Sequence, residues 1–319
     1  MTYRELRNKG VEMLEAADVP DADYDAGVLL CEASGLDQAA LFMRLSAEAE
    51  ERLAVRYMEM VRDRAGRKPL QHILGTAWFM GLPFLVCRDV LCPRQDTEVL
   101  AEAALAEAES QRKPYMEQTA YMGQMAYMEQ TAYMGQTAYM GQTAYMEQTG
   151  KKVLDLCTGS GCLAVSLAVL GRFDTVVATD LSEAALAVAR KNAAANGSVI
   201  DFRQGDLFTP VGDDELFDII VCNPPYIPSG ELKDLMPEVR DHEPAAALDG
   251  GNDGLAFYRR LALGLWRHLA PGGAFFLECG AGQSGEVIGL LMEEGRYEGL
   301  HVTRDLAGHD RVVSGRLKP

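Results

Sequence analysis

The tetrapeptide Asn223-Pro224-Pro225-Tyr226 directly follows an apolar run that ends at Cys222. Two adjacent prolines remove two N–H donors and fix both φ angles, and the first proline disfavours helical backbone at Asn223. A strand that reaches Cys222 must therefore end here in a rigid corner. The Asn223 side-chain oxygen and the Pro224 carbonyl remain as hydrogen-bond acceptors beside the aromatic ring of Tyr226. Such a corner suits a planar group that carries an NH2, although a plain proline-rich turn is the alternative for this motif alone.

A glycine-containing turn lies upstream, between a short apolar strand and a segment with helical periodicity. Its residues are Cys157, Thr158, Gly159, Ser160 and Gly161. Glycine permits a tight turn and the close approach of a ligand to the backbone, and the free N–H groups at a helix start suit a carboxylate. The motif by itself is also compatible with an ordinary strand-to-helix turn.

Two further predicted strands lead to acidic residues. Asp180 closes residues 175–180, and a carboxylate at this place accepts hydrogen bonds from both hydroxyls of a ribose. Asp206 and Leu207 follow the predicted strand 200–204, where they would flank an adenine ring. Each acid alone is more often a helix cap. Signals at successive strand ends, in this order, favour a nucleoside-containing ligand.

Together these motifs resemble those of the S-adenosylmethionine-dependent methyltransferases with a Rossmann-like fold. More narrowly, the chain resembles the HemK/PrmC family, the protein-(glutamine-N5) methyltransferases of peptide-chain release factors. The closer resemblance rests on four segments, residues 71–75, 93–98, 243–255 and 305–311. It covers nearly the whole chain except residues 115–150, and it departs from the family at Gln95, where proline is usual.

The resemblance implies transfer of a methyl group from S-adenosylmethionine to the side-chain amide nitrogen of the glutamine in a Gly-Gly-Gln motif. The expected catalytic residues are Asn223, Pro224 and Tyr226, and the same corner with Pro225 forms the expected substrate site. The glycine turn would hold the methionine part of the cofactor. Asp180, Asp206 and Leu207 would hold its nucleoside, and Asn223 is expected to contact the cofactor as well.

Other substrates remain open at this point. Asn-Pro-Pro-Tyr also occurs in enzymes that methylate adenine N6 in DNA or RNA, a glutamine of a ribosomal protein is another possible target, and a non-catalytic cofactor-binding protein is a third alternative. Acidic residues outnumber basic ones 47 to 30, which gives a net charge of −17. Proteins that handle a nucleic-acid backbone normally carry a basic face. We therefore expect a release factor as partner, no direct contact with nucleic acid, and a monomer.

The composition indicates in which compartment the protein acts and whether it binds a metal. No apolar stretch is long enough to span a membrane, and the N-terminus lacks the apolar core of a signal peptide. Seven cysteines without a Cys-x-x-Cys pair predict a reducing compartment and no disulfide framework. Five scattered histidines show no ligand spacing. The expectation is a cytoplasmic protein without a metal.

The predicted fold class is α/β, a Rossmann-like class I methyltransferase sheet with helices on both faces and a small helical domain before it. Residues 1–75 are expected to form this helical domain, which in the family helps to hold the protein substrate. Residues 76–92 form a β-hairpin linker, and residues 93–319 form the methyltransferase domain, whose last strand is antiparallel in this class. Ser46 is expected to cap the last long helix of the first domain.

Residues 115–150 are six near-identical copies of a hexapeptide of the type YMEQTA. A period of six matches neither the α-helix nor the coiled-coil heptad. The simpler interpretation is a passive insertion in the methyltransferase domain. The alternative is self-methylation or substrate mimicry, because Gly-Gln pairs at 123–124, 135–136 and 141–142 echo the Gly-Gly-Gln target.

Overall fold

The structure is a computed structural model, and it describes residues 1–110 and 150–319. The hexapeptide repeat, apart from Gly150, lies outside the described residues. The chain divides into two units. The N-terminal unit consists of Met1–Pro93 and Pro225–Gly254, and the sheet unit consists of Arg94–Pro224 and Leu255–Pro319. Residues 225–254, expected in the methyltransferase domain, thus cluster with the start of the chain.

Helices and strands follow one another along both units. The helices are α1 (Tyr3–Glu15), α2 (Ala22–Ser34), α3 (Gln38–Met43), α4 (Glu51–Ala65), α5 (Leu70–Leu74), α6 (Gln95–Ser110), α7 (Cys162–Leu170), α8 (Glu183–Ala195), α9 (Pro237–Arg240), α10 (Ala256–His268) and α11 (Ser284–Glu293). The strands are β1 (Thr76–Phe79), β2 (Leu82–Leu85), β3 (Lys152–Leu156), β4 (Thr175–Asp180), β5 (Asp201–Gln204), β6 (Phe217–Cys222), β7 (Leu269–Glu278), β8 (Tyr297–Arg304) and β9 (Asp310–Leu317). Short 3-10 turns occur at Leu232–Asp234 and Ala245–Ala247.

The N-terminal unit begins with a helical bundle. Thr2 and Glu5 form a capping box at the start of α1, which satisfies N–H groups that the helix leaves free. Helices α1, α2 and α4 bury one shared apolar core, which includes Leu6, Leu14, Leu29, Leu30, Tyr57 and Val61. Burial of these side chains, each worth about 1.5–3 kcal/mol, holds the bundle together. Strands β1 and β2 follow as an antiparallel hairpin, as expected.

The expectation for Ser46 was wrong. Helix α4 begins at Glu51 with Glu50 at the N-cap position, and Ser46 lies in a turn before it. The intervening backbone pairs with the start of the chain instead, because the Ala49 N–H donates to the Met1 carbonyl at 2.9 Å and the Tyr3 N–H donates to the Ala47 carbonyl at 3.1 Å. These hydrogen bonds keep residues 47–49 out of the helix.

The sheet unit is built on seven strands in the order β5-β4-β3-β6-β7-β9-β8. Strands β3 to β7 are parallel to one another, and β9 is antiparallel to both β7 and β8. The predicted fold class is therefore confirmed, including the antiparallel last strand. The chain runs outward from β3 in both directions. Ligands of such sheets bind at the carboxyl ends of the strands beside this switch point.

Strand register places three expected site residues at the same level of this edge. Leu156 pairs with Thr179 on one side and with Cys222 on the other. The next residues along the three strands, Cys157, Asp180 and Asn223, are therefore neighbours at the carboxyl edge. Across residues 1–110 and 150–319, none of the helices combines the length and the apolar character that crossing a bilayer requires.

Candidate active site

The acceptor corner, residues 223–226, begins where β6 ends. Asn223 leaves the sheet directly after Cys222, and its Nδ2 donates to Thr97 Oγ1 at 3.2 Å. Thr97 lies in the first turns of α6 and is 2% exposed. Because one end of the amide is held by a buried hydroxyl, Oδ1 is left as the acceptor at the other end. Thr97 lies in the family-like segment 93–98, but the sequence did not predict its contact with Asn223.

The rest of the corner passes from one unit to the other. Pro224 ends a segment of the sheet unit and Pro225 begins a segment of the N-terminal unit. Both prolines are buried and Tyr226 is half-buried. The backbone after Tyr226 pairs in parallel with Asp249 through Ile227. The predicted end of the strand at this corner is confirmed, whereas the roles expected for its residues stay predictions.

The glycine turn connects β3 to α7, and its two glycines have different surroundings. A Cβ on Gly161 would lie 3.0 Å from the Ala189 Cβ, so this glycine permits α8 to pack against the turn. Gly159 has φ +55°, and among the described residues no heavy atom lies within 4 Å of a Cβ placed there. Gly159 therefore leaves open space beside the backbone. This is the side on which a ligand can approach the turn.

The other residues of the turn are anchored by hydrogen bonds. The Thr158 N–H donates to the Thr179 carbonyl on β4 at 3.0 Å. The Ser160 carbonyl accepts from Asn192 Nδ2 on α8 at 2.8 Å. These contacts fix the turn to the neighbouring strand and helix before any ligand binds.

The Asp155 side chain holds the glycine turn through hydrogen bonds. The sequence did not predict this role. Asp155 Oδ2 accepts from the Thr158 hydroxyl at 2.6 Å and from the Ala164 N–H in α7 at 3.2 Å. Burial raises the pKa of this carboxyl to about 7, although both hydrogen bonds act in the opposite direction. A carboxyl group in the middle of an apolar central strand was the signal that could have identified it.

Asp180 ties the turn to the end of β4. Its Oδ2 accepts from the Gly159 N–H at 2.8 Å, and its Oδ1 accepts from the Ser182 N–H at 2.8 Å. Burial raises the pKa of Asp180, and the N–H donors partly offset this. A carboxylate has about four acceptor positions, so two N–H donors leave capacity for further donors such as ribose hydroxyls.

Asp206 and Leu207 follow β5, as expected, but they differ in exposure. The Asp206 carboxylate pairs with Arg260 at 2.8 Å, and both side chains are 46% exposed. Leu207 is buried and has φ +50°, and its carbonyl accepts from Thr179 Oγ1 at 3.3 Å. The positive φ turns the backbone sharply at this strand end. The adenine contact expected of these two residues stays a prediction.

Two cysteines meet at the same edge of the sheet. Cys157 follows β3 and Cys222 ends β6, on two neighbouring strands. Burial raises the pKa of the Cys222 thiol well above its usual value, and the neighbouring Cys157 thiol raises it further. The Cys222 thiol is therefore protonated at neutral pH and is not a nucleophile.

One group of potential metal ligands lies in the N-terminal unit, although their sequence spacing had suggested none. Ligand atoms of His72, Cys92 and Glu243 lie within 4.8 Å of one another. Glu243 Oε1 already accepts from the Cys92 backbone N–H at 3.2 Å. Ligands of a tetrahedral zinc ion, with bonds of about 2.0–2.3 Å, would be roughly 3.3–3.8 Å apart. The backbone contact of Glu243 joins its segment to the chain at Cys92.

The fold and the edge geometry define the class of protein. Residues 140–238 match the family model of the Methyltransferase small domain, and the strand order with an antiparallel β9 belongs to the Rossmann-like methyltransferases. Residues 5–75 match the family model of the PrmC N-terminal domain. The first match extends past the acceptor corner, and the second covers the helical bundle.

Relatives that match over nearly the whole length of both chains show the family to which this chain belongs. The release factor glutamine methyltransferase of Geobacter sulfurreducens is 38% identical over 312 residues, which are 98% of this chain and 93% of the relative. The protein of the same name from Cereibacter sphaeroides is 40% identical over 309 residues, 96% of this chain and 95% of the relative. This chain belongs to the release factor glutamine methyltransferase family, which confirms the resemblance noted in the sequence.

A solved structure shows a similar but looser match. It is that of the release factor-specific protein-(glutamine-N5) methyltransferase from Alicyclobacillus acidocaldarius, with 27% identity and a TM-score of 0.35. The match covers 71% of this chain and 94% of that chain. The family assignment rests on the full-length relatives.

Proposed function

We propose that this protein transfers a methyl group from S-adenosylmethionine to the side-chain amide nitrogen of the glutamine in the Gly-Gly-Gln motif of peptide-chain release factors. The names of relatives that match more than nine-tenths of both chains support the substrate. The observation that carries the chemistry is the contact of Asn223 Nδ2 with Thr97 Oγ1. This contact leaves the oxygen of the Asn223 amide as an acceptor. An acceptor is required to recognise the NH2 group of the substrate glutamine.

The carboxyl edge of the sheet fits the cofactor. Gly159 offers open backbone for the methionine part. The Asp180 carboxylate is held by two N–H groups at a strand end, and it retains acceptor positions for ribose hydroxyls. When bound, S-adenosylmethionine supplies a methyl group made electrophilic by its sulfonium. Asp206 and Leu207 complete the proposed nucleoside site.

The acceptor corner acts on the glutamine amide. An amide nitrogen is a weak nucleophile because its lone pair is delocalised into the carbonyl. Asn223 Oδ1 and the Pro224 carbonyl each accept one of its hydrogens, which directs the lone pair toward the methyl group. Both acceptors also stabilise the positive charge that develops on nitrogen, and fixed alignment of the reacting atoms lowers the barrier further. The surplus proton leaves the nitrogen after transfer, and Tyr226 lies beside the glutamine side chain.

The charge of the chain supports a protein substrate. A net charge of −17 opposes binding to a nucleic-acid backbone. A monomeric enzyme in the cytoplasm, where release factors act, is part of this proposal. Methylation of adenine N6 in nucleic acid, or of a ribosomal-protein glutamine, is an outcome that the experiment must separate from it.

The test uses the full-length protein and S-adenosylmethionine with a labelled methyl group. It is incubated with a release factor, with the same factor carrying Gly-Gly-Ala, with bulk DNA and ribosomal RNA, and with ribosomal proteins. We expect label only in the unmodified release factor, on the glutamine of Gly-Gly-Gln. Label in nucleic acid or ribosomal protein alone, or in the Gly-Gly-Ala factor, would overturn the proposal.

A further inference from the structure

A buried group of charges lies in the N-terminal unit, between the helical bundle and α9. Arg64 Nη1 contacts Glu238 Oε1 at 2.9 Å, and Arg67 Nη2 contacts Glu238 Oε2 at 2.7 Å. On its other side, Arg64 Nε contacts Asp25 Oδ2 at 2.6 Å. The side chains of Arg64, Asp25 and Glu238 are each less than one-tenth exposed. We call Arg64, Arg67 and Glu238 the Glu238 clamp.

The clamp joins parts of the chain that are distant in sequence. Arg64 and Glu238 are 174 positions apart. Burial alone would raise the pKa of Glu238, but hydrogen bonds from Arg67 and Arg64 hold it below the usual value. The carboxylate is therefore ionised at neutral pH. Removal of one partner from a buried ion pair is costly because the other charge is left without compensation.

The segment that contains Glu238 buries few apolar side chains completely. The structure describes all of Pro225–Gly254, and after Pro225 the non-glycine side chains that it buries are those of Glu238, Glu243 and Leu248. Two of these three are carboxylates. The second, Glu243, accepts the Cys92 backbone N–H at 3.2 Å. Apolar packing tolerates small displacements, whereas paired charges define direction and distance. Ionic and hydrogen-bonded contacts made by buried carboxylates thus help to set the position of this segment on the bundle.

Backbone hydrogen bonds connect the clamp to the acceptor corner. The Glu243 N–H donates to the Val239 carbonyl in α9 at 3.1 Å. Further along, the Ile227 N–H donates to the Leu248 carbonyl at 3.0 Å, and the Gly250 N–H donates to the Ile227 carbonyl at 2.8 Å. A Cβ on Gly250 would lie 2.7 Å from the Tyr226 Cα. The segment therefore returns in close contact with the residue that completes the corner.

We propose that the Glu238 clamp positions Tyr226 for methyl transfer. Arg64, Arg67 and Glu238 are positioning residues: they hold Pro225–Gly254 on the helical bundle and act on the substrate glutamine only through Tyr226. The proposal deepens the function proposed above and rests on it. It assigns to the helical bundle a part in the chemistry, in addition to any part in substrate binding.

The experiment compares Glu238→Gln with Asp25→Asn. Glu238→Gln keeps the size of the side chain but removes the charge that both arginines face. Asp25→Asn perturbs the same buried arginine from the bundle side and leaves its contact with Glu238 in place. Each variant is measured for kcat and KM with a release factor, for calorimetric affinity for S-adenosylhomocysteine, and for Tm.

We expect Glu238→Gln to lower kcat about 10- to 100-fold, since a misplacement of about 1 Å can cost 10²-fold, while affinity for S-adenosylhomocysteine stays within about twofold. Arg67→Ala should act in the same direction, and Arg67→Lys should restore most of the rate. Asp25→Asn should lower Tm but leave kcat within about twofold. If both buried-charge variants reduce kcat in proportion to their loss of Tm, the clamp serves stability alone and the proposal is wrong.

A second readout does not depend on the substrate. Lys233 and Arg240 are exposed on the segment, so trypsin can cleave after them when the segment loosens. Cleavage at these sites, followed by mass spectrometry, should accelerate at least fivefold in Glu238→Gln and not in Asp25→Asn. Unchanged cleavage in Glu238→Gln overturns the positioning proposal. An inactive wild-type enzyme with accelerated cleavage in the variant would instead count against the release-factor substrate.

Discussion

The amide of Asn223 donates to the hydroxyl of Thr97, which lies 126 positions earlier in the chain. Asparagine carries a donor and an acceptor at the two ends of one planar group, and a half-turn of that group exchanges them. The buried hydroxyl on α6 selects one orientation. A contact between two neutral side chains thereby leaves Asn223 Oδ1 as the acceptor at the proposed substrate site.

Replacement of Asn223 should reduce turnover more than replacement of Thr97. Asn223→Ala removes a preplaced acceptor and should lower kcat on the order of 10²–10³-fold. Thr97→Val keeps the volume but removes the orienting oxygen, and one hydrogen bond of about 1–1.5 kcal/mol corresponds to a loss of roughly tenfold. Steady-state rates with a release factor measure both. Thr303→Val, on the edge strand β8, is the matched control and should retain the wild-type rate, and full activity in Thr97→Val would contradict the orienting role.

Replacement of Asp180 should weaken cofactor binding. We expect Asp180→Ala to reduce affinity for S-adenosylhomocysteine about 10- to 100-fold, since each hydrogen bond to a charged group is worth roughly 1.5–3 kcal/mol. Calorimetric titration well below Tm gives the affinity. Asp201→Ala, an exposed acid on the neighbouring strand β5, should bind as the wild type does. Equal affinities for the wild type and Asp180→Ala would refute the assignment.

The two glycines of the turn should respond differently to alanine. Both have positive φ, which costs roughly 1–2 kcal/mol with a side chain. Only Gly161→Ala also meets Ala189, at 3.0 Å, so the free energy of unfolding should fall about 1–3 kcal/mol further than in Gly159→Ala. Urea unfolding measures both. The loss in Gly161→Ala combined with Ala189→Gly should be smaller than the sum of the single losses, and strict additivity would exclude the steric cause.

Asp155 should make stability depend on pH. Its folded-state pKa of about 7 lies above the ordinary value of 3.8 for an aspartate, so the folded protein binds this proton more tightly than the unfolded chain does. The contribution is complete below about pH 4 and is lost as pH rises toward 7. Relative to Asp155→Asn, the wild type should therefore lose on the order of a few kcal/mol of unfolding free energy between these pH values. Urea midpoints of both proteins from pH 4.5 to 8 measure this, and parallel pH profiles would contradict it.

Deletion of residues 115–150 should leave folding and methyl transfer intact. Lys151 Nζ donates to the Ala108 carbonyl in α6 at 3.2 Å, so the two ends of the connection already lie close together. Changing the length of a loop alters its closure free energy by only about 0.6 kcal/mol per doubling. Rates and urea midpoints of the deletion variant test the passive interpretation. Methyl groups on Gln124, Gln136 or Gln142 after incubation with cofactor alone would favour the alternative.

Local sequence signals were sufficient to predict most of the strands of the sheet unit. The proline pair ended β6 at the expected residue, and the strand leading to Asp180 was expected within the bounds that the structure gives. Both depend on backbone restriction and short apolar runs, which neighbouring residues determine. Strand β8 was not expected, because it lies at the edge of the sheet and buries little beyond Tyr297. Without a continuous apolar run, an edge strand has no clear periodic signal.

Pairings between distant residues were beyond the reach of the sequence. The contact of Asn223 with Thr97 and that of Arg64 with Glu238 join residues more than one hundred positions apart. Neither leaves a periodic pattern in the chain. For the same reason the three expected domain ranges could not include the association of Pro225–Gly254 with Met1–Pro93. The sequence was enough to propose the residues of the candidate site by type, but not the side chains that orient them.

The chain leaves the sheet unit after Pro224 and re-enters it at Leu255, and this interruption limits how family members can be recombined. A chimera that exchanges only residues 1–93 would place a foreign bundle against a native Glu238. The N-terminal region and residues 225–254 thus form one inheritable block, although 131 residues of the sheet unit separate them. Exchange of both pieces together preserves every ion pair of the clamp. To transfer substrate preference from one relative to another, residues 1–93 and 225–254 should therefore be exchanged together, although they are not contiguous in the chain.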